Sequence, residues 1–352
     1  MQVFFWVSFA LVVYVYLGYP CLLLLWRRLA ARPVKKKYWE PMVTLVIAAH
    51  NERTNIESKL KNCLTLDYPK RKLQIVVSLD GSTDGSEYIV WKYASQGVEL
   101  VYSPVHAGKA AALNRALRRA KGEIVVFADA RQTFSANAIR ELSANFADHA
   151  VGAVSGELLL MDESHQEAVT EVGLYWRYEK ALRAMESEIH STAGATGAIY
   201  AIRRNLYEDL PEDTILDDVL TPLRIALRGR RTVFEPQAKA YDRVACCAVA
   251  EYGRKVRTLC GNYQLLAQLP QALLPWRNPI FIQFVSHKLG RLLVPWALVT
   301  LFFTNLFMLR GIYALTFSFQ AAWYVFAAAG YLLAKREAVT PIVIAQESEK
   351  AA

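Results

Sequence analysis

Apolar residues are spread unevenly along this chain, and their spacing divides it into segments. Residues 3–26 are almost uninterrupted apolar and aromatic side chains. At about 1.5 Å per helical residue this run covers a hydrocarbon core of ~30 Å, which predicts a membrane helix. Leu289–Leu309 and Ile312–Ala334 predict two more spans, joined by Arg310 and Gly311 and closed by Lys335 and Arg336. A pair of re-entrant or incompletely spanning helices fits the same close spacing. Between these ends the period shortens. Val43–Ala48, Leu73–Leu79, Glu99–Tyr102 and Glu123–Ala128 are short β-rich runs, separated by helical periodicity at Asn55–Leu66, Glu87–Ser95 and Lys109–Ala120. The alternation predicts an α/β fold with a mostly parallel sheet covered on both faces, in which ligands bind beyond the carboxyl ends of the strands. Leu265–Phe284 is apolar, interrupted by proline and rich in Trp and Phe, which predicts a helix lying in the membrane interface.

Charge sharpens this division. The chain of 352 residues is 54% hydrophobic, yet it carries 41 Lys and Arg against 32 Asp and Glu, a net +9. Much of the excess flanks the apolar runs, at Arg27, Arg28, Arg32, Lys35, Lys36 and Lys37 and again at Arg277, His287, Lys288 and Arg291. Charge in those places answers to membrane lipids rather than to nucleic acid. The basic cluster follows the first run instead of preceding it, the reverse of a cleaved signal peptide, so the anchor is expected to stay. The positive-inside rule then puts the N-terminus outside and the polar middle in the cytoplasm. The expected organisation is a transmembrane helix over 1–28, a cytoplasmic domain over 38–263, an interfacial region over 264–285, two transmembrane helices over 286–336 and a cytoplasmic tail over 337–352. The whole reads as a multi-pass protein of the bacterial inner membrane. The five cysteines, Cys21, Cys63, Cys246, Cys247 and Cys260, have neither the spacing of a zinc site nor an even count, which fits a reducing compartment; the adjacent Cys246 and Cys247 read as small apolar residues.

Candidate chemistry appears where apolar runs break off. The first strand ends in Ala48, Ala49, His50, Asn51 and Glu52. The second ends in the glycine-punctuated turn from Asp80 to Gly85, whose carboxylates and N–H groups suit a base, a ribose or a metal-bound phosphate. A later strand ends at Asp129, and His106–Lys109 opens a helix that contains Asn114. A helix N-terminus beside a lysine favours phosphate, and an exposed carboxylate favours a divalent cation bridging a diphosphate. Asp129 capping the next helix is the plainer alternative. Arg254 and Arg257, three apart, fall on one helical face and can grip phosphate oxygens; a solvated basic face is the alternative.

Together these segments resemble the family 2 glycosyltransferases, the inverting group that includes cellulose, chitin and hyaluronan synthases. The likeness runs over roughly 40–310. It is carried by Ile47–Glu52, Asp80–Gly85, Gly108–Asn114, Phe127–Ala130, Thr196–Arg204, Leu216–Asp218 and Arg254–Arg257, in family order. The resemblance implies an A-type glycosyltransferase fold that binds a nucleoside diphosphate sugar. Asn51, Glu52 and Asp80 would hold the nucleoside, most often uridine, with Ala49 and Lys109 in the same pocket. Asp129 would ligate Mg²⁺ or Mn²⁺, and Thr196 and Gly197 would belong to the acceptor site. Asp218 would be the catalytic base, with Asp217 beside it; a carboxylate at the start of a helix is the simpler reading of Asp218. Inverting transfer is one displacement at the anomeric carbon, so a carboxylate must take the acceptor's proton while a cation neutralises the departing diphosphate. A neighbour of like charge would raise the pKa of Asp218 towards that task.

Two positions depart from the pattern. Arg131 stands where many members have a second Asp, and Thr258 follows Arg257 where processive synthases have Trp, which removes a sugar-stacking surface. The expected activity is sugar transfer to a lipid-linked or growing glycan acceptor. A catalytically inactive nucleotide-sugar-binding subunit of a polysaccharide synthesis or secretion complex is the alternative, and Arg131 is its best support.

Overall fold

The computed structural model describes residues 1–161, 173–243 and 248–350; Cys246 and Cys247 lie outside them. Among these residues eight strands form one sheet: β1 (Val43–Ala49), β2 (Leu73–Asp80), β3 (Val98–Ser103), β4 (Ile124–Asp129), β5 (Thr133–Phe134), β6 (Val151–Met161), β7 (Ile199–Arg203) and β8 (Arg231–Arg243), in the order β3-β2-β1-β4-β7-β6-β8-β5. Strands β1 to β4 are the four read from periodicity, and they pair in parallel. Strand β7 then runs antiparallel to both β4 and β6, and β6 and β8 are parallel again. The sheet is therefore mixed and mostly parallel, the A-type glycosyltransferase-like architecture expected.

Alternation along each strand builds a core on both faces. Leu45 and Ile47 of β1, Ile75 and Val77 of β2 and Val126 of β4 point to one side, where the helices Arg53–Leu64, Ser86–Lys92 and Ala138–Asn145 pack with Ile56, Leu60, Val90 and Leu142. Val46, Val76, Val125 and Phe127 point to the other, against Ala110 and Leu113 of the helix Lys109–Leu117 and Leu220 and Leu223 of the helix Asp217–Leu227. Each such aliphatic side chain contributes about 1.5–3 kcal/mol on full burial. Strands covered on both sides read as continuous apolar runs, which is why β1, β2 and β4 were visible in the sequence.

The chain divides into two compact units. The larger, Leu22–Val244 with Gly261–Val285, holds the sheet. In it the backbone after Ala30 is laced to the domain. Arg27 pairs with Glu188, Arg32 N–H donates to the Glu188 carbonyl at 2.6 Å, and buried Arg231 donates to the carbonyls of Arg32, Ser187 and His190 at 2.7–2.9 Å. Lys36 pairs with the fully buried carboxylate of Glu235. Part of the basic cluster that reads as a membrane flank thus answers the domain's own carboxylates.

The smaller unit, Met1–Cys21 with Ala245–Cys260 and Ser286–Ala352, holds most of the apolar helix length. Among the described residues three helices are long and apolar enough to cross a membrane: Gln2–Ala30, Phe281–Leu306 and Ile312–Leu333. The second begins at Phe281, before the Leu289 start read from sequence. Ahead of it, Pro270, Pro275 and Pro279 break the segment expected as one interfacial helix, leaving the end of the helix Ala248–Gln268 and a short 3₁₀ turn, Pro270–Leu273. Within this unit Phe5 packs edge-on against Tyr313 with ring centroids 4.9 Å apart, and the Tyr14 and Ser286 hydroxyls share a 2.7 Å hydrogen bond. Along Ile312–Leu333 no part of the apolar window is buried in protein, and Phe319, Trp323 and Phe326 are exposed. An apolar surface of this extent is stable against lipid and not against water, so the protein is membrane-associated.

Candidate active site

The carboxyl ends of β1, β2 and β4 lie side by side, because Ala48 of β1 is in register with both Ser78 of β2 and Asp129 of β4. The polar residues read from sequence therefore gather at one edge of the sheet. Beyond β1 the chain turns sharply at Asn51, the one non-glycine residue with positive φ (+53°) among those described. Asn51 holds this turn against the β2 loop: its N–H donates to Ser82 Oγ at 3.1 Å and its Oδ1 accepts from Thr83 N–H at 2.9 Å. Ala49 is buried beneath, and Glu52 accepts from Asn55 Nδ2 at 2.7 Å at the start of the following helix. Gly81 has φ +64°, and a Cβ there would meet the backbone N of His106 at 2.5 Å, so this turn requires glycine.

Asp80 is buried, and its carboxylate organises the next loop. It accepts from Ala107 N–H at 3.1 Å, Gly108 N–H at 2.7 Å, His106 Nδ1 at 2.9 Å and the guanidinium of Arg115. Burial pushes its pKa up, but the Arg115 bond and the two amides outweigh burial and hold it below the ordinary value. Arg115 was not anticipated; its only trace in the sequence is one charge near the end of a helix rich in alanine and leucine. The stabilisation from Asp80 is complete above the unfolded carboxylate value of about 4, and it is lost as the pH falls towards the lower folded value. Asp80→Asn is expected to destabilise the domain by about 3 kcal/mol, since it leaves a largely buried guanidinium without its anion. Thermal melts from pH 7 to pH 3 check both points: the wild type loses stability at the acid end, and the variant loses less.

The centre of the site is Lys109, at the start of its helix. Its Nζ lies 2.9 Å from Asp129 Oδ1 and 3.4 Å from Asp217 Oδ1. Burial opposes its charge, yet Asp129, Asp217 and Asp218 together hold its pKa above the ordinary lysine range. The ammonium marks a point at which two carboxylates from different elements converge, a place built for positive charge. Asp217 is buried and also accepts from Tyr200 OH at 3.3 Å; burial raises the pKa of that phenol well above 10. Among the described residues no three His, Cys, Asp or Glu side chains form a ready metal cage. Asp129 offers a single carboxylate at the end of β4, which suits a cation that takes most of its oxygen ligands from substrate and water.

Arg131 fills the position of the second Asp. Its guanidinium donates to Asp242 Oδ2 at 2.5 Å, and Gln132 Nε2 donates to the same oxygen at 2.9 Å. Asp242 is buried on β8, while Arg131 is half-exposed. The Asp242 hydrogen bond raises the pKa of Arg131 most, against burial, and the charges of Asp242, Glu52 and Asp129 add to it. Below this loop, buried Lys59 donates to the Gln132 carbonyl at 2.7 Å and sits 3.8 Å above the Phe134 ring. Neither Asp242 nor Lys59 carried a signal in the sequence.

Reversal of strand direction brings in the other half. Because β7 is antiparallel to β4, with Ile199 opposite Ala128, the segment leading into β7 lies next to the carboxyl end of β4. That segment is Thr196 and Gly197. Thr196 is fixed by Ser155 Oγ at 2.9 Å from its N–H and by Arg183, which donates to its Oγ1 at 2.7 Å. Gly197 lies against Asp218: a Cβ there would be 2.8 Å from Asp218 Oδ2. The Asp218 carbonyl accepts from Ala195 N–H at 2.8 Å. The structure thus brings together Lys109, Asp129, Asp217, Asp218, Thr196 and Gly197. Asn114 is a brace whose amide zips its helix to Tyr207 and Leu210. Arg254 and Arg257 are exposed and three apart on the helix Ala248–Gln268, in the smaller unit.

Residues 44–211 match the sequence profile of Glycosyl transferase family 2. Curated relatives include the poly-beta-1,6-N-acetyl-D-glucosamine synthases of Staphylococcus aureus, 24% identical over 230 residues, and of Staphylococcus epidermidis, 22% identical over 229 residues. Both alignments cover 64% of this chain and 55% of the relative, so the chain spans about half the length of the curated relatives it matches. Among solved structures, the mannosyltransferase PcManGT from Pyrobaculum calidifontis, in complex with GDP-Man and Mn²⁺, is 26% identical with a TM-score of 0.67. That likeness covers 93% of this chain and 97% of the mannosyltransferase. The fold, the order of the strand-end motifs and these likenesses identify residues 44–211 as a family 2 glycosyltransferase domain and support a glycosyltransferase.

Proposed function

We propose that the chain transfers a sugar, with inversion, from a nucleoside diphosphate sugar to a lipid-linked or growing glycan acceptor. The observation that carries this reading is the convergence of Asp129, Asp217 and Asp218 on one cation, with Gly197 against Asp218. Asp218 takes the proton of the acceptor hydroxyl as the glycosidic bond forms and the diphosphate departs from the opposite face of the anomeric carbon. Asp217, buried and held by Tyr200, keeps the start of its helix in place. Asn51, Glu52 and the Asp80 turn shape the nucleoside end. Mg²⁺ or Mn²⁺ at Asp129 supplies charge neutralisation of the leaving diphosphate. The names of the relatives point to two sugars, N-acetylglucosamine in the synthases and mannose, as GDP-Man, in the mannosyltransferase. The resemblance by itself favours uridine.

The three apolar helices fit a multi-pass protein with its catalytic domain, 38–263, in the cytoplasm, followed by an interfacial stretch over 264–285, two spans within 286–336 and a cytoplasmic tail over 337–352. One experiment tests donor and orientation together. Sealed inverted membrane vesicles are given UDP-N-acetylglucosamine or GDP-mannose with Mn²⁺, and release of the nucleoside diphosphate is followed. Release with one donor in inverted vesicles, and none in right-side-out vesicles, is the expected result. Donor binding without release under any condition would instead support the inactive-subunit reading.

A further inference from the structure

The donor's diphosphate has to enter beside several carboxylates. Asp129 and Asp217 converge at Lys109, and Glu52 and Asp129 both act on Arg131. With a second Asp in place of Arg131, a divalent cation would be the natural way to offset this charge. Here the second fixed cation belongs to the protein. We propose that Arg131 is a direct contact for the donor's diphosphate, supplying from the protein part of the positive charge that a second carboxylate would otherwise recruit with a metal ion. The inference rests on the nucleotide-sugar reading above and assigns a role in it to a residue outside the family pattern.

Three observations support this. First, Arg131 is held in place. It follows Asp129 by two residues at the end of β4, and the loop beneath it is fixed by Lys59 on the Gln132 carbonyl and by Asn62, which bonds both the N–H and the carbonyl of Phe134 at 2.8 and 2.9 Å. Secondly, the contact to Asp242 occupies one nitrogen of a group with five N–H donors, and the side chain is 52% exposed, so its planar fork can meet further oxygens. Thirdly, Asp242 does not depend on Arg131 alone: it also accepts from Gln132 Nε2 at 2.9 Å and from the Arg243 N–H at 2.8 Å. A guanidinium is therefore more than Asp242 requires. Lys109 provides the other cation, so the site holds two positive charges before any ligand arrives.

The competing explanation is that Arg131 exists to neutralise buried Asp242. A paired substitution separates the two, because Arg131→Met with Asp242→Asn removes the cation without stranding a buried carboxylate. UDP and GDP are titrated calorimetrically into the full chain in detergent, in EDTA and again in Mn²⁺, for the wild type, Asp242→Asn and the double variant. We expect the wild type and Asp242→Asn to bind one of the two nucleotides in EDTA. The double variant should bind it about 10- to 100-fold more weakly there, as loss of a hydrogen bond to a charged group implies, and should recover much of the loss in Mn²⁺. Equal affinities of Asp242→Asn and the double variant in EDTA would overturn the inference, as would wild-type binding that appears only with Mn²⁺. Either of those results leaves the proposed sugar transfer standing, whereas binding of neither nucleotide under any condition would sink both.

Discussion

Asp218→Asn is expected to lower kcat by about 10²- to 10⁴-fold, the range supplied by a positioned general base, with little change in nucleoside diphosphate affinity. The amide keeps the shape of the carboxylate and its place against Gly197 but cannot accept the acceptor's proton. The split matters more than the size of the loss. A fall in kcat at unchanged affinity locates the defect in proton transfer, whereas a parallel loss of affinity would show that Asp218 serves the donor instead. Single-turnover release of UDP or GDP from preloaded enzyme, alongside calorimetric affinity, separates the two. A variant retaining more than about a tenth of wild-type kcat, well above that range, would remove Asp218 from the role of base.

Gly197→Ala is the second large effect. A methyl group at this position would sit 2.8 Å from Asp218 Oδ2 and 3.3 Å from its Cγ, closer than such atoms approach, so the carboxylate must swing aside. Misplacement of a reacting group by about 1 Å costs on the order of 10²-fold in rate. We therefore expect kcat to fall by about that factor with the melting temperature nearly unchanged, since the displaced group is only partly buried. Gly197→Ala placed on Asp218→Asn should add little, because the second change then disturbs a group already without function. Additive losses would mean that Gly197 matters for acceptor entry and not for the position of Asp218.

The half of the fold that ends at Asp129 was plain in the sequence, and the half beyond it was not. Strands β1 to β4 are short apolar runs between helical repeats, and β1, β2 and β4 are buried by helices that pack on the sheet. By contrast, β7 has five residues, β6 is interrupted by Gly152 and Gly156, and β8 carries Glu235, Lys239 and Asp242 along its length. Those charges suit a strand only because distant residues meet them, Lys36 at Glu235 and Arg131 at Asp242. No local pattern can show this. The site divides in the same way. Carboxylates at strand ends stand out because an apolar run stops at them, so Asp80 and Asp129 were visible. The partners of the charged residues were hidden, since Arg115 lies 35 residues from Asp80, Tyr200 17 from Asp217 and Asp242 111 from Arg131. The expectation that Asp80 contacts the nucleoside now has to reckon with a carboxylate whose two oxygens already serve His106, Ala107, Gly108 and Arg115.

The seam between β4 and β7 carries one more implication. In the sheet, β4 of the first half pairs with β7 of the second over five positions, Ile124 with Arg203 through Ala128 with Ile199. A slip of one residue there would move Gly197 along the strand by about 3.3 Å and turn alternate side chains to the wrong face. Such a molecule could keep its donor half intact. In a damaged or hastily refolded preparation, then, titrated binding sites would outnumber turnovers, and the ratio of the two would measure how faithfully the halves had been joined.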